Sequence, residues 1–222
     1  MTALAEGTLD HGPAGAAGDD ADLLRARAYT LLAQLLARPP SASLLAAASG
    51  LHGDGTPLGQ ALDALAGAAR RTTEHRTERE YHTLFIGVVR GELVPYASFY
   101  RTGFLHDRPL ARVRQDLQAL GVERAPGVAE PEDHVATLCE VMAALIDGSL
   151  GPPDVAQQKR FFDRHIAPWA GRFFADLEAA EAADFYRPVG SIGRLFMEIE
   201  TDAFALVTTA AGQDKEREGY AP

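Results

Sequence analysis

Apolar residues recur at three- and four-residue spacing along most of the chain, and no segment alternates strictly over several β-branched residues. Leu24, Ala28, Leu31, Leu32, Leu35 and Leu36 fall on one face, which predicts a helix capped by Asp19 or Asp20 and stopped at Pro39-Pro40. Ser41 suits the cap of a short helix through Leu44 and Leu45, 50–55 reads as a loop, and a further helix is expected over 58–71. A fourth helix begins at Thr73, turns Tyr81, Leu84 and Phe85 inward, and ends at Gly87 with Leu84 and Phe85 in its last turn.

The stretch 87–108 holds three glycines, Pro95-Tyr96 and several aromatics with little periodicity, so an ordered loop with a short helical turn near 98–100 is expected. Pro109 suits the first turn of the next helix, with Leu110, Val113, Leu117 and Leu120 on one face and Gly121 after its end. Pro131 is expected at the first position of a core helix, where Glu132 and Asp133 place negative charge against the helix N-terminus. Its stripe is Val135, Leu138, Cys139, Met142, Leu145 and Ile146. Two helices then meet at Pro168-Trp169, and after Pro188 a final helix carries Ile192, Leu195, Phe196, Ile199, Ala203 and Leu206. The expected fold is all-α: a single compact multi-helix domain over 19–211, with a disordered N-terminal arm at 1–18 and a flexible tail at 212–222. No fixed-period repeat points to a solenoid.

Composition changes this picture little. The 222 residues are 46% hydrophobic and 23% charged, ordinary globular usage, and no apolar run approaches the roughly 20 residues needed to cross a bilayer. A stable membrane insertion is not expected. The first twenty residues lack Lys and Arg and so lack the n-region of a secretory signal, and a lone cysteine forms no internal disulfide; both favour a cytoplasmic location. A net charge of -10 disfavours nucleic acid and favours a cationic partner.

Glu132-Asp133-His134 is the most chemically suggestive triplet. It motivates one reading, a metal- or nucleotide-dependent hydrolase, but neighbours on a helix point about 100 degrees apart and do not converge on one ion. His106-Asp107 precedes Arg108-Pro109 and reads as loop chemistry. Cys139 lies on the apolar stripe and reads as a small core residue, not a nucleophile. There is no nucleophile elbow, phosphate-binding glycine loop or dinucleotide fingerprint, so no catalytic residue, metal or cofactor is assigned. The aromatics Tyr81, Phe85, Tyr96, Phe99 and Tyr100, clustered beside Pro95 and an acidic helix start, suit a groove with an apolar floor and an anionic rim. Such a groove fits a peptide that is both hydrophobic and basic.

Three ordered motifs carry a specific likeness: Tyr81-x-x-Leu84-Phe85-x-Gly87, Pro95-Tyr96-x-Ser98-x-Tyr100, and Glu132-Asp133-His134 ahead of Glu140-Val141-Met142. Together with Phe162, Pro168-Trp169, Phe173 and Phe185-Tyr186, they resemble the TorD/DmsD/NarJ family of redox-enzyme maturation chaperones. The resemblance implies a non-enzymatic, cytoplasmic, all-helical protein. It would bind the twin-arginine signal peptide of a molybdopterin oxidoreductase precursor of the DMSO reductase family, holding it for cofactor insertion and folding before export. It implies peptide-binding roles for Leu84, Phe85, Asp133 and His134, with Tyr81, Pro95, Tyr96, Ser98, Tyr100 and Glu132 shaping the same groove. Val94 stands where the family often has a second proline, and Leu138-Cys139 departs from the usual pattern before Glu140. Some members exchange helices between copies, for which 121–131 would be the hinge; a monomer is the expectation here.

Overall fold

The computed structural model describes residues 13–88, 90–124 and 129–218. The helices, in chain order, are α1 (Pro13–Ala37), α2 (Ala42–Ser49), α3 (Pro57–Arg71), α4 (Glu74–Tyr81), α5 (Ala97–Thr102), α6 (Arg108–Ala119), α7 (Val135–Asp147), α8 (Val155–Phe161), α9 (Ala170–Ala179) and α10 (Tyr186–Glu218). Short π-helical turns extend α4 over His82–Ile86 and α8 over Phe162–Ile166. No strand occurs among the described residues; an isolated antiparallel bridge pairs Tyr96 with His134. The all-α expectation holds.

Capping side chains mark several helix starts, those at Ser41 and Thr73 as the sequence suggested. Ser41, Thr56 and Thr73 accept backbone N–H groups of Leu44, Gly59 and Arg76, and Asp107 precedes α6 as its cap. The core is built from α1 against α7 and α9 against α10, with α3 packed on α10 and α2 on α3. Tyr29, Leu32 and Leu35 of α1, Leu138 and Met142 of α7, Phe173 and Phe174 of α9 and Val189 of α10 are all fully buried there. Gly190 permits the close approach of α10 to α9, since a Cβ on it would lie 2.4 Å from the Glu178 backbone nitrogen.

Two polar devices tie distant segments to this core. Arg25 of α1 donates to both Glu200 carboxylate oxygens at 2.7 and 2.9 Å, Tyr29 donates to the same carboxylate at 3.0 Å, and Arg25 also reaches Gln158 of α8. Burial of Glu200 is matched by this pairing, as a buried charge requires. The Glu80 carboxylate accepts the backbone N–H groups of Asp184, Phe185 and Tyr186 at 2.8, 3.1 and 2.8 Å, capping α10 from the end of α4.

Several boundaries differ from the expectation. Helix α1 begins at Pro13, inside the segment expected as an arm, because Pro13 suits a first helical position and the alanines after it favour helix. Residues 1–12 lie outside the described residues. Helix α10 starts two residues before Pro188, which its first turn accommodates, and runs to Glu218 through the segment expected as a tail; 219–222 lie outside the described residues. Leu84 and Phe85 sit in a π-helical turn, closed by the Gly87 N–H donating to the His82 carbonyl at 2.6 Å. Gly87 has φ +62°, and a Cβ there would meet the Arg90 carbonyl oxygen at 2.1 Å.

The largest correction concerns α7. It starts at Val135 with His134 as its cap, so Pro131 is not a first helical position and Glu132 and Asp133 do not lie in the first turn. Residues 131–134 instead form a tight turn, the His134 N–H donating to the Pro131 carbonyl at 3.1 Å. Pairing with the 95–97 segment outcompetes helix at this point, because that segment supplies partners for the backbone groups on both sides of His134.

Candidate functional site

The Pro95-Tyr96 loop and the 131–134 turn are joined by backbone bonds. The Ala97 N–H donates to the Asp133 carbonyl at 3.0 Å, and the Val135 N–H donates to the Pro95 carbonyl at 2.9 Å. Asp133, 0% exposed, completes the joint by accepting the Ser98 N–H on Oδ2 at 2.8 Å. Its other oxygen and the Ser98 hydroxyl are buried with no hydrogen-bond partner among the described residues. His134 is also buried, and its Nδ1 accepts the Ala136 N–H at 3.1 Å, which leaves the proton on Nε2. Burial lowers the imidazole pKa to about 4 against the opposing pull of Glu130 and Asp133. The Tyr96 ring stands edge-on to the His134 ring at 5.0 Å.

The second motif forms an adjoining wall. Leu84 is fully buried and its carbonyl accepts the Leu93 N–H at 2.7 Å, fastening the 87–93 loop to the π-helical turn. Tyr81 and Phe85 meet at 4.9 Å, and Phe85 meets Tyr186 at 5.4 Å, both edge to face. The Tyr81 hydroxyl donates to the Leu36 carbonyl at 3.2 Å. Burial, with the charge of Glu130 adding to it, raises the Tyr81 phenol to about 12. Glu130 therefore faces both walls, because it also accepts the Tyr96 hydroxyl.

Tyr100 belongs elsewhere. Its ring packs on Trp169 and Phe173, and its hydroxyl donates to Asp176 of α9 at 2.9 Å. Glu132 faces outward but is already paired, with Arg114 Nε at 2.9 Å and Arg124 Nε at 3.4 Å; its side chain is 15% exposed. The expected anionic rim of Glu132 and Asp133 is thus not free: one carboxylate is neutralised by the chain's own arginines and the other is buried. In the same geometry the three side chains of the triplet do not converge. Glu132 points to arginines, Asp133 to the Ser98 amide and His134 Nδ1 to a helix end, and no group of three or more potential ligands among the described residues could hold a metal ion.

Beside this assembly lies a groove of about 340 Å³ that motif reading missed. Its floor is Leu117 of α6, Val122, Val141 and Ala144 of α7, and Leu150, and its rim carries Glu123, Glu130, Glu132 and Glu140 with Arg124. Only Glu130 and Glu132 of this rim lie in the stretch that the sequence singled out before α7. The available signal was Glu140, a charged residue interrupting a helix that is otherwise apolar over 138–143. No helix among the described residues is long and apolar enough to cross a membrane.

Known proteins resemble this chain in sequence and in fold. The chain is 33% identical over 119 residues to the chaperone protein TorD of Salmonella bongori, covering 53% of each chain. It is 26% identical over 137 residues to the chaperone protein TorD of Vibrio cholerae, covering 58% of this chain and 62% of that one. The matched segment thus spans about half to three-fifths of those relatives' length. A crystal structure described as a redox-enzyme maturation protein from Archaeoglobus fulgidus superposes with a TM-score of 0.54 at 18% identity, covering 89% of this chain and 98% of that one, a likeness of fold. The model of the family described as nitrate reductase delta subunit matches residues 52–175, from the loop after α2 into α9, a span that includes 81–134 and the lining of the groove. On that match and the TorD relatives, the chain belongs to the nitrate reductase delta subunit family, the TorD/NarJ group.

Proposed function

We propose that this protein is a cytoplasmic maturation chaperone that binds the twin-arginine signal peptide of a molybdopterin oxidoreductase precursor. It holds the precursor for cofactor insertion and folding before export, and makes or breaks no bond in doing so. The observation that carries this reading is the groove between α6 and α7, apolar along its floor and dominated by carboxylates along its rim. A signal segment that is basic at one end and apolar beyond it matches both properties. The family relationship supports the same reading, since the TorD relatives are named chaperones.

In this reading the motif residues act at two depths. Tyr96, Phe85 and Glu132 are partly accessible and border the peptide, whereas Tyr81, Leu84, Pro95, Ser98, Asp133 and His134 hold the wall from behind. Tyr100 supports α5 against α9. The protein works as a monomer; the hinge 121–131 required for helix exchange includes residues 125–128, which lie outside the described residues.

Calorimetric titration with a synthetic peptide of paired arginines followed by a leucine- and alanine-rich run tests the proposal. Saturable one-to-one binding is expected, with no saturable binding of a peptide of the same composition in scrambled order. Absence of binding by the ordered peptide, or equal binding of both, would overturn it.

A further inference from the structure

The groove does not end at Glu140. A second cavity of about 580 Å³ lies at the corner of α1 and α2, lined by Gln34, Arg38, Ser41 and Leu44 among others, and Glu140 borders it too. The two hollows therefore meet at one side chain. Along α7, Leu138, Cys139, Val141, Met142 and Ala143 are buried, so Glu140 alone of 138–143 projects outward, onto the seam between the hollows.

The four rim carboxylates are not equivalent. Glu130 accepts the Tyr96 hydroxyl, and Glu132 is paired with Arg114 and Arg124. Glu123 and Glu140 make no ion pair or side-chain hydrogen bond among the described residues. Burial also raises the pKa of the Glu140 carboxyl, so this carboxylate is partly desolvated and carries no compensating partner. Such a group is relieved by an arriving guanidinium, which supplies several donors in a planar fork.

Resting on the peptide-binding reading, we propose that Glu140, with Glu123, is the receptor for the paired arginines of the bound segment, in place of Glu132 and Asp133. One guanidinium seats on Glu140 at the seam and the other turns to Glu123. The apolar run that follows lies along Val141 and Ala144.

A double-mutant cycle by calorimetry tests this. Wild type, Glu140→Gln and Glu123→Gln are each titrated with the paired-arginine peptide and with the same peptide carrying two glutamines. Glu140→Gln removes a charge without a partner and keeps the side-chain size, so its melting temperature should stay at the wild-type value. It should weaken the arginine peptide about tenfold, the loss of roughly one charge-assisted hydrogen bond, and the glutamine peptide less than about twofold. Glu123→Gln should act in the same direction to a smaller extent, because Glu123 lines one hollow whereas Glu140 borders both.

If wild type binds the arginine peptide and Glu140→Gln binds it equally well, the assignment of Glu140 is overturned while the chaperone reading stands. Equal weakening of both peptides overturns it as well, since the effect would then not be read through charge. If wild type binds neither peptide saturably, the chaperone reading and this assignment fall together.

Discussion

Replacing Asp133 by alanine separates a structural carboxylate from a ligand-binding one. In the folded protein Asp133 Oδ2 accepts the Ser98 N–H at 2.8 Å, in a place where both residues are fully buried. Alanine leaves that N–H without an acceptor and out of reach of water. Losing a buried hydrogen bond to a charged group costs about 1.5–3 kcal/mol. The two backbone bonds beside it, Ala97 to Asp133 and Val135 to Pro95, remain and limit the damage to the joint. For a chain of this size about 2–4 °C of melting temperature follows each kcal/mol, so a fall of roughly 5–10 °C is expected for Asp133→Ala. Urea denaturation measures the same loss as a lower midpoint at unchanged slope. Asp133→Asn keeps an acceptor for the Ser98 N–H and should recover at least half of it. Peptide affinity should fall with stability and return with it in the asparagine variant. Wild-type stability of Asp133→Ala, within about 0.5 kcal/mol, together with abolished peptide binding, would show that the carboxylate contacts the ligand and would refute the reasoning.

His134 should give the protein a pH-dependent stability: its folded pKa, about 4, lies below the ordinary value near 6.5, so stability is fully present above pH 6.5 and drains away as pH falls towards 4. At 1.36 kcal/mol per pH unit the window corresponds to about 3 kcal/mol, and His134→Asn, which retains a capping side chain but does not titrate, should flatten that part of a urea-midpoint profile. Glu80→Ala removes the acceptor of three backbone N–H groups at the start of α10 and should cost about 1–2 kcal/mol in thermal unfolding, with Glu80→Gln intermediate; an unchanged melting temperature would contradict the capping role. Cys139 is fully buried with its thiol pKa pushed up by burial, so a thiol reagent should leave the native protein unlabelled and react only when urea unfolds it.

The helical layout was legible because its signals are local. Ser41, Thr73 and Gly87 each mark a boundary by a rule that holds within one turn, and the stripe from Val135 to Ile146 needs no partner to be recognised. The start of α7 was not legible for the opposite reason. Pro131-Glu132-Asp133 satisfies every local rule for a helix N-terminus, and what displaces it is a pairing with the Pro95-Tyr96 segment some 35 positions earlier. The π-helical turn at Leu84-Phe85 escaped notice because apolar spacing alone does not separate it from the last turn of an α-helix.

The site was half legible on the same grounds. Motif residues were brought together as expected in Tyr96, Asp133 and His134, and again in Tyr81, Leu84 and Phe85, but most of them turned inward to build the wall. Which carboxylates remain free depends on where Arg114 and Arg124 reach, and the sequence carries no sign that both reach Glu132. Glu140 was visible as a charge in an apolar helix, yet its two hollows are walled by α1 and α2 and by the end of α6, segments far from it in sequence.

Amide hydrogen exchange with and without the paired-arginine peptide tests the central claim most directly, because it reports both binding and place. The account predicts slowed exchange at 117–124 and 137–144, with α9 and the exposed face of α10 unchanged. Peptide-dependent protection confined to α9 and α10, with 137–144 exchanging as in the free protein, would contradict it.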